Sequence, residues 1–404
     1  MIAAEDVADA LLSGPWRREP MRIRVTRLAG LILVPPWIDD LVTVLLRAHP
    51  SPPPRAVVEA LLRTLRLGEY PADLDSLARL LDVDSGELAW FADVGRWTRR
   101  TAAAPLHHYR WRTVPKRGGV RLVAVPKPRL KEMQRRVLRH VVAPIPVHPA
   151  AHGCVPGRSV RSAVAEHAGS DMLIRADLES FFASISASRV GGVLRRAGVP
   201  GAVARAITGL CTTVVPLVVW RSVPVPADPA GHYRLGRRLA APHLPTGAPT
   251  SPALANLVAY SLDRRLAGLA ASFGGRYTRY VDDLLFSGDA RLRNGRAAFV
   301  RAVAAVVDDS GFRLAERKTV VLGSAGRQQA LGAVVNDHPT LARRDRDNLR
   351  ALLHNCAVHG PSSQSRGREH FREHLLGRIS AVAGLDPELG IRLRGLFDRI
   401  GWTP

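Results

Sequence analysis

The stretch Arg276-Tyr-Thr-Arg-Tyr-Val-Asp-Asp-Leu-Leu-Phe-Ser-Gly288 constrains this chain more than any other. Tyr277, Thr278, Tyr280 and Val281 favour a strand, and Leu284–Phe286 form a second apolar run. The pattern predicts two strands joined by a tight turn with Asp282 and Asp283 at the turn. A hairpin does not require adjacent acids, since Asn-Gly or Asp-Gly turns the chain more easily. Two carboxylates about 4 Å apart repel by roughly 4 kcal/mol at an effective dielectric near 20. A divalent cation removes that cost, and hard oxygen ligands suit Mg²⁺. An exposed acidic turn would use the same dipeptide without any chemistry, so the rest of the chain has to decide.

A second acid stands in a comparable setting. Met172–Ala176 reads as a strand that ends at Asp177. Carboxylates from two strands distant in sequence would converge on paired metal ions about 3.5–4 Å apart, the arrangement that clamps both oxygens of a phosphoryl transfer. Between them lies the turn-rich Leu244–Pro252, whose glycine lets backbone approach a nucleotide or template.

Charge narrows the partner. The chain of 404 residues carries 58 Lys+Arg against 35 Asp+Glu, a formal +23. A GC-rich genome explains Arg over Lys but not bases over acids, so nucleic acid is the expected partner. Cys154, Cys211 and Cys356 are too scattered for a zinc site or a disulfide framework, and a reducing cytoplasm is expected. Leu31–Val34 stops at Pro35-Pro36, and Val214–Trp220 contains Pro216. No apolar run reaches about 18 residues, so no membrane span is expected.

Along the chain, helices are expected at Trp37–Arg47 and Ala56–Leu67. Leu74–Phe91 has the spacing of two short helices, the second capped by Asp84 or Ser85. A helix-turn-helix reader and a plain helical hairpin fit it equally. Tyr109–Val125 reads as a basic β-hairpin turning at Lys116-Arg117-Gly118-Gly119, followed by a basic helix over Leu130–Val142. Thr212–His243 is Pro-rich and reads as irregular. Ala253–Leu269 reads as one apolar helix, and Lys318–Leu322 and Leu331–Val335 as short strands. The chain beyond Thr340 reads as basic helices.

With these motifs in order, the chain resembles reverse transcriptases. Asp177-Leu-Glu-Ser-Phe-Phe182, Leu244-Pro-Thr-Gly-Ala-Pro-Thr-Ser-Pro252-Ala-Leu-Ala-Asn256 and Tyr280-Val-Asp-Asp283 are similar to that family's core motifs. Pro126-Lys-Pro-Arg-Leu-Lys-Glu-Met-Gln134, His148-Pro-Ala-Ala-His-Gly153, Gly157-Arg-Ser159, Gln329-Ala-Leu-Gly-Ala-Val-Val-Asn336 and Leu349-Arg-Ala-Leu-Leu-His-Asn355 resemble the bacterial retron type. The resemblance runs from about Tyr109 to the C-terminus.

It implies an α+β right-hand polymerase with an antiparallel palm sheet. Residues 1–104 would form a helical N-terminal extension, 105–170 the fingers, 171–336 the palm and 337–404 a basic helical thumb. The implied activity is RNA-directed DNA synthesis from deoxynucleoside triphosphates with two Mg²⁺ ions. The implied partners are a structured non-coding RNA serving as template and primer, its branched DNA product, and a separate effector protein in anti-phage defence. Asp177 and Asp282 would hold the metals, and Asp283 would complete the acidic cluster. Phe182 would exclude a 2′-hydroxyl, and Arg121 and Lys127 would grip the triphosphate. Pro245 and Gly247 would shape the floor of the nucleotide site. Tyr280 would lie under the primer end, and Lys318 near the leaving pyrophosphate.

Three departures bear on the subtype. Thr246 stands where the family often has Gln. Ser162–His167 stands in place of Asn-Ala-x-x-His, and Ala330-Leu331-Gly332 in place of Val-Thr-Gly. His167 remains either as an RNA contact or as a structural residue. Group II intron-like, diversity-generating and abortive-infection reverse transcriptases stay open as alternatives. So do a non-catalytic RNA-binding scaffold and, on residues 74–91 alone, a helix-turn-helix regulator.

Overall fold

The computed structural model describes residues 9, 12, 16, 45–47, 49, 51–58, 70–95, 103–116, 119–226 and 228–402. Most of the helices expected at Trp37–Arg47 and Ala56–Leu67, and the Arg117-Gly118 turn, lie outside the described residues. The chain forms two compact units, residues 1–148 with 180–261, and residues 149–179 with 262–404.

The first unit is mainly helical. Helix Leu74–Leu81 starts in a reciprocal capping box between Asp73 and Ser76, and Asp84 caps helix Ser85–Ala92. Strands β1 (Tyr109–Lys116) and β2 (Gly119–Pro126) pair antiparallel from Tyr109↔Pro126 to Lys116↔Gly119. Helix Pro128–Val137 follows and ends in a π-helical turn, Leu138–Val142, rather than running on as one α-helix. Helix Gly201–Cys211, which the sequence pattern does not reveal, buries Val203, Ile207 and Leu210. Gln134 Nε2 donates to Leu210 O at 2.7 Å and to Tyr109 Oη at 2.9 Å. These bonds tie the hairpin and the basic helix to the core.

Thr212–His243 is not irregular, as expected from its prolines, but holds helices Leu217–Arg221 and Pro229–Leu239. Two of its five prolines sit where helices begin: Pro216 at an N-cap and Pro229 in a first turn. The single expected helix over Ala253–Leu269 is two helices, Ser251–Val258 and Tyr260–Ser272.

The second unit is built on a four-stranded antiparallel sheet in the order β4-β5-β3-β6. Its strands are β3 (Met172–Asp177), β4 (Arg276–Tyr280), β5 (Asp283–Gly288) and β6 (Val320–Gly323). Side chains alternate across it. Ile174 and Phe286 are register partners on one face, where Phe286 meets Phe299 of helix Arg296–Asp309 edge-on at 5.2 Å. On the other face Leu173 and Leu285 form a buried cluster with Val164, Ala330, Ala333 and Val335.

That second layer includes a small sheet of β7 (Gln329–Ala330), β8 (Ala333–Val334) and β9 (Thr340–Leu341). The single strand expected over Leu331–Val335 is instead broken by a turn. Leu331 at φ 50° and Gly332 at φ 83° are both left-handed, as a two-residue hairpin turn requires. Helices Arg343–His359, Phe371–Leu385 and Pro387–Phe397 close the unit around Leu349, Leu353, Leu375, Leu393 and Phe397. Among the described residues, no helix is long and apolar enough to cross a membrane.

Candidate active site

The acids predicted to converge do so through strand pairing. β3 and β5 are neighbours, and Asp177 is the register partner of Asp283. β4 and β5 form the expected hairpin, with Tyr280 opposite Asp283 and Val281-Asp282 as the two-residue turn. Leu178 N–H donates to Asp282 O at 2.9 Å, and Ala315 N–H to Asp177 O at 2.7 Å. These backbone bonds hold both acid-bearing segments in place.

Val281 lies at φ 59°, a left-handed conformation that is uncommon for a β-branched residue. Its cost of roughly 1–3 kcal/mol is borne by the surroundings. Gly153 packs directly beneath it, and a Cβ on Gly153 would come within 2.5 Å of Val281 N. Arg279 Nη1 donates to Val281 O at 2.9 Å. The same guanidinium grips Asp263 through Nε and Nη2, both at 2.7 Å, with neither side chain exposed. Tyr277 Oη adds a third bond to Asp263 at 2.8 Å. A fully buried ion pair therefore holds the carbonyl that precedes Asp282. In the sequence, Arg279 looks like one more base in a basic protein, and its partner 16 residues earlier cannot be recognised.

The electrostatics are strained in the way clustered acids require. Burial, then the charges of Asp282 and Asp177, push Asp283 up to about 6. Lys318 and Arg175 oppose that rise. Lys318 Nζ lies 2.6 Å from Asp177 Oδ2. Arg175 sits two residues before Asp177 and therefore on the same face of the sheet. Among the described residues its buried Nε has no hydrogen-bond partner.

Among the described residues, no group of three or more His, Cys, Asp or Glu side chains is placed to hold a metal ion by itself. The acids fit a different kind of site. Mg²⁺ is commonly bound by one or two carboxylates, with water and substrate phosphates completing its shell. Hard carboxylate oxygens under mutual repulsion are suitable donors for such a shared ion.

The other predicted site residues belong to the first unit. Phe182 is half-buried on helix Phe181–Ser184, while Phe181 is a core residue. Arg121 is exposed on β2, and Lys127 Nζ donates to Pro105 O at 2.6 Å. Pro245 is buried, and its carbonyl accepts from Ser251 Oγ at 2.8 Å. Thr246 O accepts from Ala124 N–H at 2.8 Å, which pins this turn to β2. Gly247, at φ 119°, leaves a space in which a Cβ would meet Ala124 O at 2.9 Å.

His167 is structural. It is buried and shares hydrogen bonds with Ser287 Oγ and Thr278 Oγ1, both at 2.8 Å. Burial pushes it down to about 3, helped by Arg276 and His152.

Comparison with known proteins follows the same motifs. The family model for reverse transcriptase (RNA-dependent DNA polymerase) matches residues 114–335, more than half of the chain. The chain is 42% identical over 293 residues to the Retron Mx65 reverse transcriptase of Myxococcus xanthus, covering 71% of this chain and 64% of the relative. It is 37% identical over 332 residues to the Retron Mx162 reverse transcriptase of the same organism, covering 78% and 64%. Identity to the Retron Ec86 reverse transcriptase of Escherichia coli is 27% over 289 residues, covering 70% and 79%. The chain thus spans 64% of the length of the two Myxococcus relatives. A foamy viral protease-reverse transcriptase in complex with RNA/DNA hybrid matches with a TM-score of 0.38 and 14% identity, covering 74% of this chain and 32% of that one. The family model covers all three aspartates and the sheet that carries them, and the chain belongs to the reverse transcriptase family, of the bacterial retron type, with that family's α+β right-hand fold.

Proposed function

We propose that the protein is an RNA-directed DNA polymerase that copies part of a dedicated structured non-coding RNA. The observation that carries this reading is the pairing of Asp177 with Asp283 on adjacent strands, beside Asp282 in the turn. Two Mg²⁺ ions, when bound, would lower the pKa of the primer hydroxyl and offset the negative charge of the leaving phosphates. Asp177 and Asp282 would hold those ions, and Asp283 would fix the charge of the cluster. Lys318 would exchange its contact with Asp177 for the departing pyrophosphate, delivering a proton from Nζ. Tyr280, opposite Asp283, would support the primer end.

In the first unit, Phe182 would select deoxyribose, and Arg121 and Lys127 would bind triphosphate. Pro245 and Gly247 would shape the floor of the nucleotide site. The Leu244–Pro252 turn, hydrogen-bonded to β2 through Thr246 O, supports that assignment. We further propose a branched RNA–DNA product primed from a 2′-hydroxyl, and a role in anti-phage defence with a separate effector. The three cysteines are free thiols, which suits action in a reducing cytoplasm. The fingers, palm and thumb bounds at 105–170, 171–336 and 337–404 belong to the same proposal.

The test is to purify the protein with its native flanking locus and sequence the nucleic acid that comes with it, alongside an Asp282→Ala/Asp283→Ala variant. The expected result is one discrete DNA joined to one RNA, absent from the variant. RNA without DNA from both preparations would overturn copying of a co-purifying RNA and leave an RNA-binding scaffold or a polymerase primed in another way.

A further inference from the structure

Pro149-Ala-Ala-His-Gly153 and Gly157-Arg-Ser159 take no part in the chemistry described above, yet the second unit lays the first of them against the acid-bearing turn. Ala151 forms a parallel bridge to Arg279 on the outer edge of β4. Arg279 N–H donates to Ala150 O at 2.7 Å, and His152 N–H donates to Arg279 O at 2.8 Å. This register delivers Gly153 to Val281, where an added Cβ would also meet Val281 Cγ2 at 2.7 Å and Tyr280 C at 3.1 Å. Arg279 holds the turn by its carbonyl, and Gly153 packs against its amide nitrogen.

Two side chains anchor this segment. Arg158 Nη1 donates to Pro149 O at 2.6 Å and also to Ala151 O. His152 is buried and shares a hydrogen bond of 2.8 Å between Nδ1 and Ser162 Oγ. Ser162 Oγ accepts from Ser159 N–H at 2.8 Å and donates to Ser159 O at 2.9 Å, inside the capping box that starts helix Val160–Ala165. Thr278 Oγ1 donates to Ala163 O at 3.3 Å and ties the same helix to β4. A hydroxyl has one hydrogen and two lone pairs. That of Ser162 spends its hydrogen on Ser159 O, so it can only accept from His152, and the imidazole carries its proton on Nδ1. Burial, then the charge of Arg158, hold His152 below its ordinary value of 6.5 against the pull of Glu166, so the ring is neutral at pH 7.

We propose that His152 and Ser162 are positioning residues, which lock Gly153 beneath Val281 and so hold the strained turn that presents Asp282. A left-handed β-branched residue persists only where its surroundings over-determine it. The helix cap supplies a fixed acceptor, the imidazole Nδ1–H spans from it to the Pro149–Gly153 segment, and Gly153 transmits that position to Val281. The bond selects one tautomer, so an N–H at the Nδ1 position matters and the bulk of the ring does not suffice. The inference rests on the polymerase reading only for its effect on rate: a catalytic group misplaced by about 1 Å costs about 10²-fold. The hold on the turn itself does not depend on what the acids do.

The experiment compares His152→Asn with His152→Gln, and Ser162→Thr with Ser162→Ala, all in the full chain. Asn places an amide N–H where Nδ1–H lies, whereas Gln reaches toward the Nε2 position. Three readouts are taken: hydrogen exchange of the Arg276–Gly288 segment in EDTA, single-turnover nucleotide incorporation, and thermal melting. In His152→Gln and Ser162→Ala the amides of Val281–Asp283 should exchange about tenfold faster. Their rate at saturating nucleotide should fall by about 10- to 100-fold, while the nucleotide concentration for half-maximal rate stays within about twofold. His152→Asn and Ser162→Thr should recover most of both. The proposal is overturned if the Asn and Gln variants behave alike, or if the turn exchanges at the wild-type rate in His152→Gln and Ser162→Ala while only the melting temperature drops. If the wild type itself incorporates no nucleotide, the polymerase reading fails, and hydrogen exchange still decides whether His152 and Ser162 hold the turn.

Discussion

Asp177 and Asp283 face each other across the β3–β5 ladder, and Lys318 bonds to the first of them at 2.6 Å. One carboxylate of the pair is therefore neutralised by a neighbour, while the other is left close to two like charges. The consequences can be measured.

Asp283 should make stability depend on pH. Its folded value of about 6 lies above its ordinary value of 3.8. Between those values the folded state holds a proton that the unfolded state has lost. Stability is thus greatest at low pH and falls as pH rises through 6. Asp283→Asn does not titrate. In EDTA it should be more stable than wild type at pH 7, by about 1–2 kcal/mol after allowance for solvent screening. The gain should vanish below pH 4, as read by urea melts at each pH.

Lys318 should act in opposite senses on metal binding and on rate. Lys318→Gln frees Asp177, so the magnesium concentration for half-maximal activity should fall. Loss of the proton donor should slow single-turnover nucleotide incorporation by about 10²-fold. If the half-maximal magnesium concentration rises while the rate falls, Lys318 is not exchanging partners.

The Arg279–Asp263 pair should be indispensable to stability. Removing one partner leaves the other charged and buried, which costs about 3–5 kcal/mol. Asp263→Asn and Arg279→Met should each lower the urea midpoint by a corresponding amount. The double variant should be less destabilised than the sum of the two. Because Arg279 also holds Val281 O, each variant should lose activity below its melting temperature.

Gly153→Ala should disturb the turn without touching an acid. The added methyl meets Val281 backbone, which cannot swing aside as a flexible side chain would. A cost of about 1–3 kcal/mol is expected, with activity reduced more than binding of RNA. Thermal melts and incorporation assays on one preparation separate the two effects.

His167 should weaken the protein in acid. Its folded value of about 3 lies below its ordinary value of 6.5, so only the unfolded state takes up a proton in that window. Stability is full above 6.5 and is lost as pH falls. Between pH 7 and pH 5 the loss should be about 2 kcal/mol, and it should be absent in His167→Gln.

The sequence by itself determined the acid-bearing strands, because Tyr280-Val281-Asp282-Asp283 combines strand propensity with a charge pair that has no structural use. It also determined the two short helices within Leu74–Phe91 and the cap of the second at Asp84, since an N-cap side chain acts within four residues. Local signals failed where tertiary contacts override them. The prolines of Thr212–His243 mark helix starts as readily as irregular chain. Leu331-Gly332 reads as strand until its left-handed turn brings β7 against β8. Only the tertiary structure decided that Asp177 would face Asp283, that Lys318 would reach back 141 residues to Asp177, and that Arg279 would be buried on Asp263. The reason is physical. Propensity and capping depend on neighbours in the chain, whereas charge pairing and burial depend on which strands become adjacent, and strand order is set by how the whole core packs.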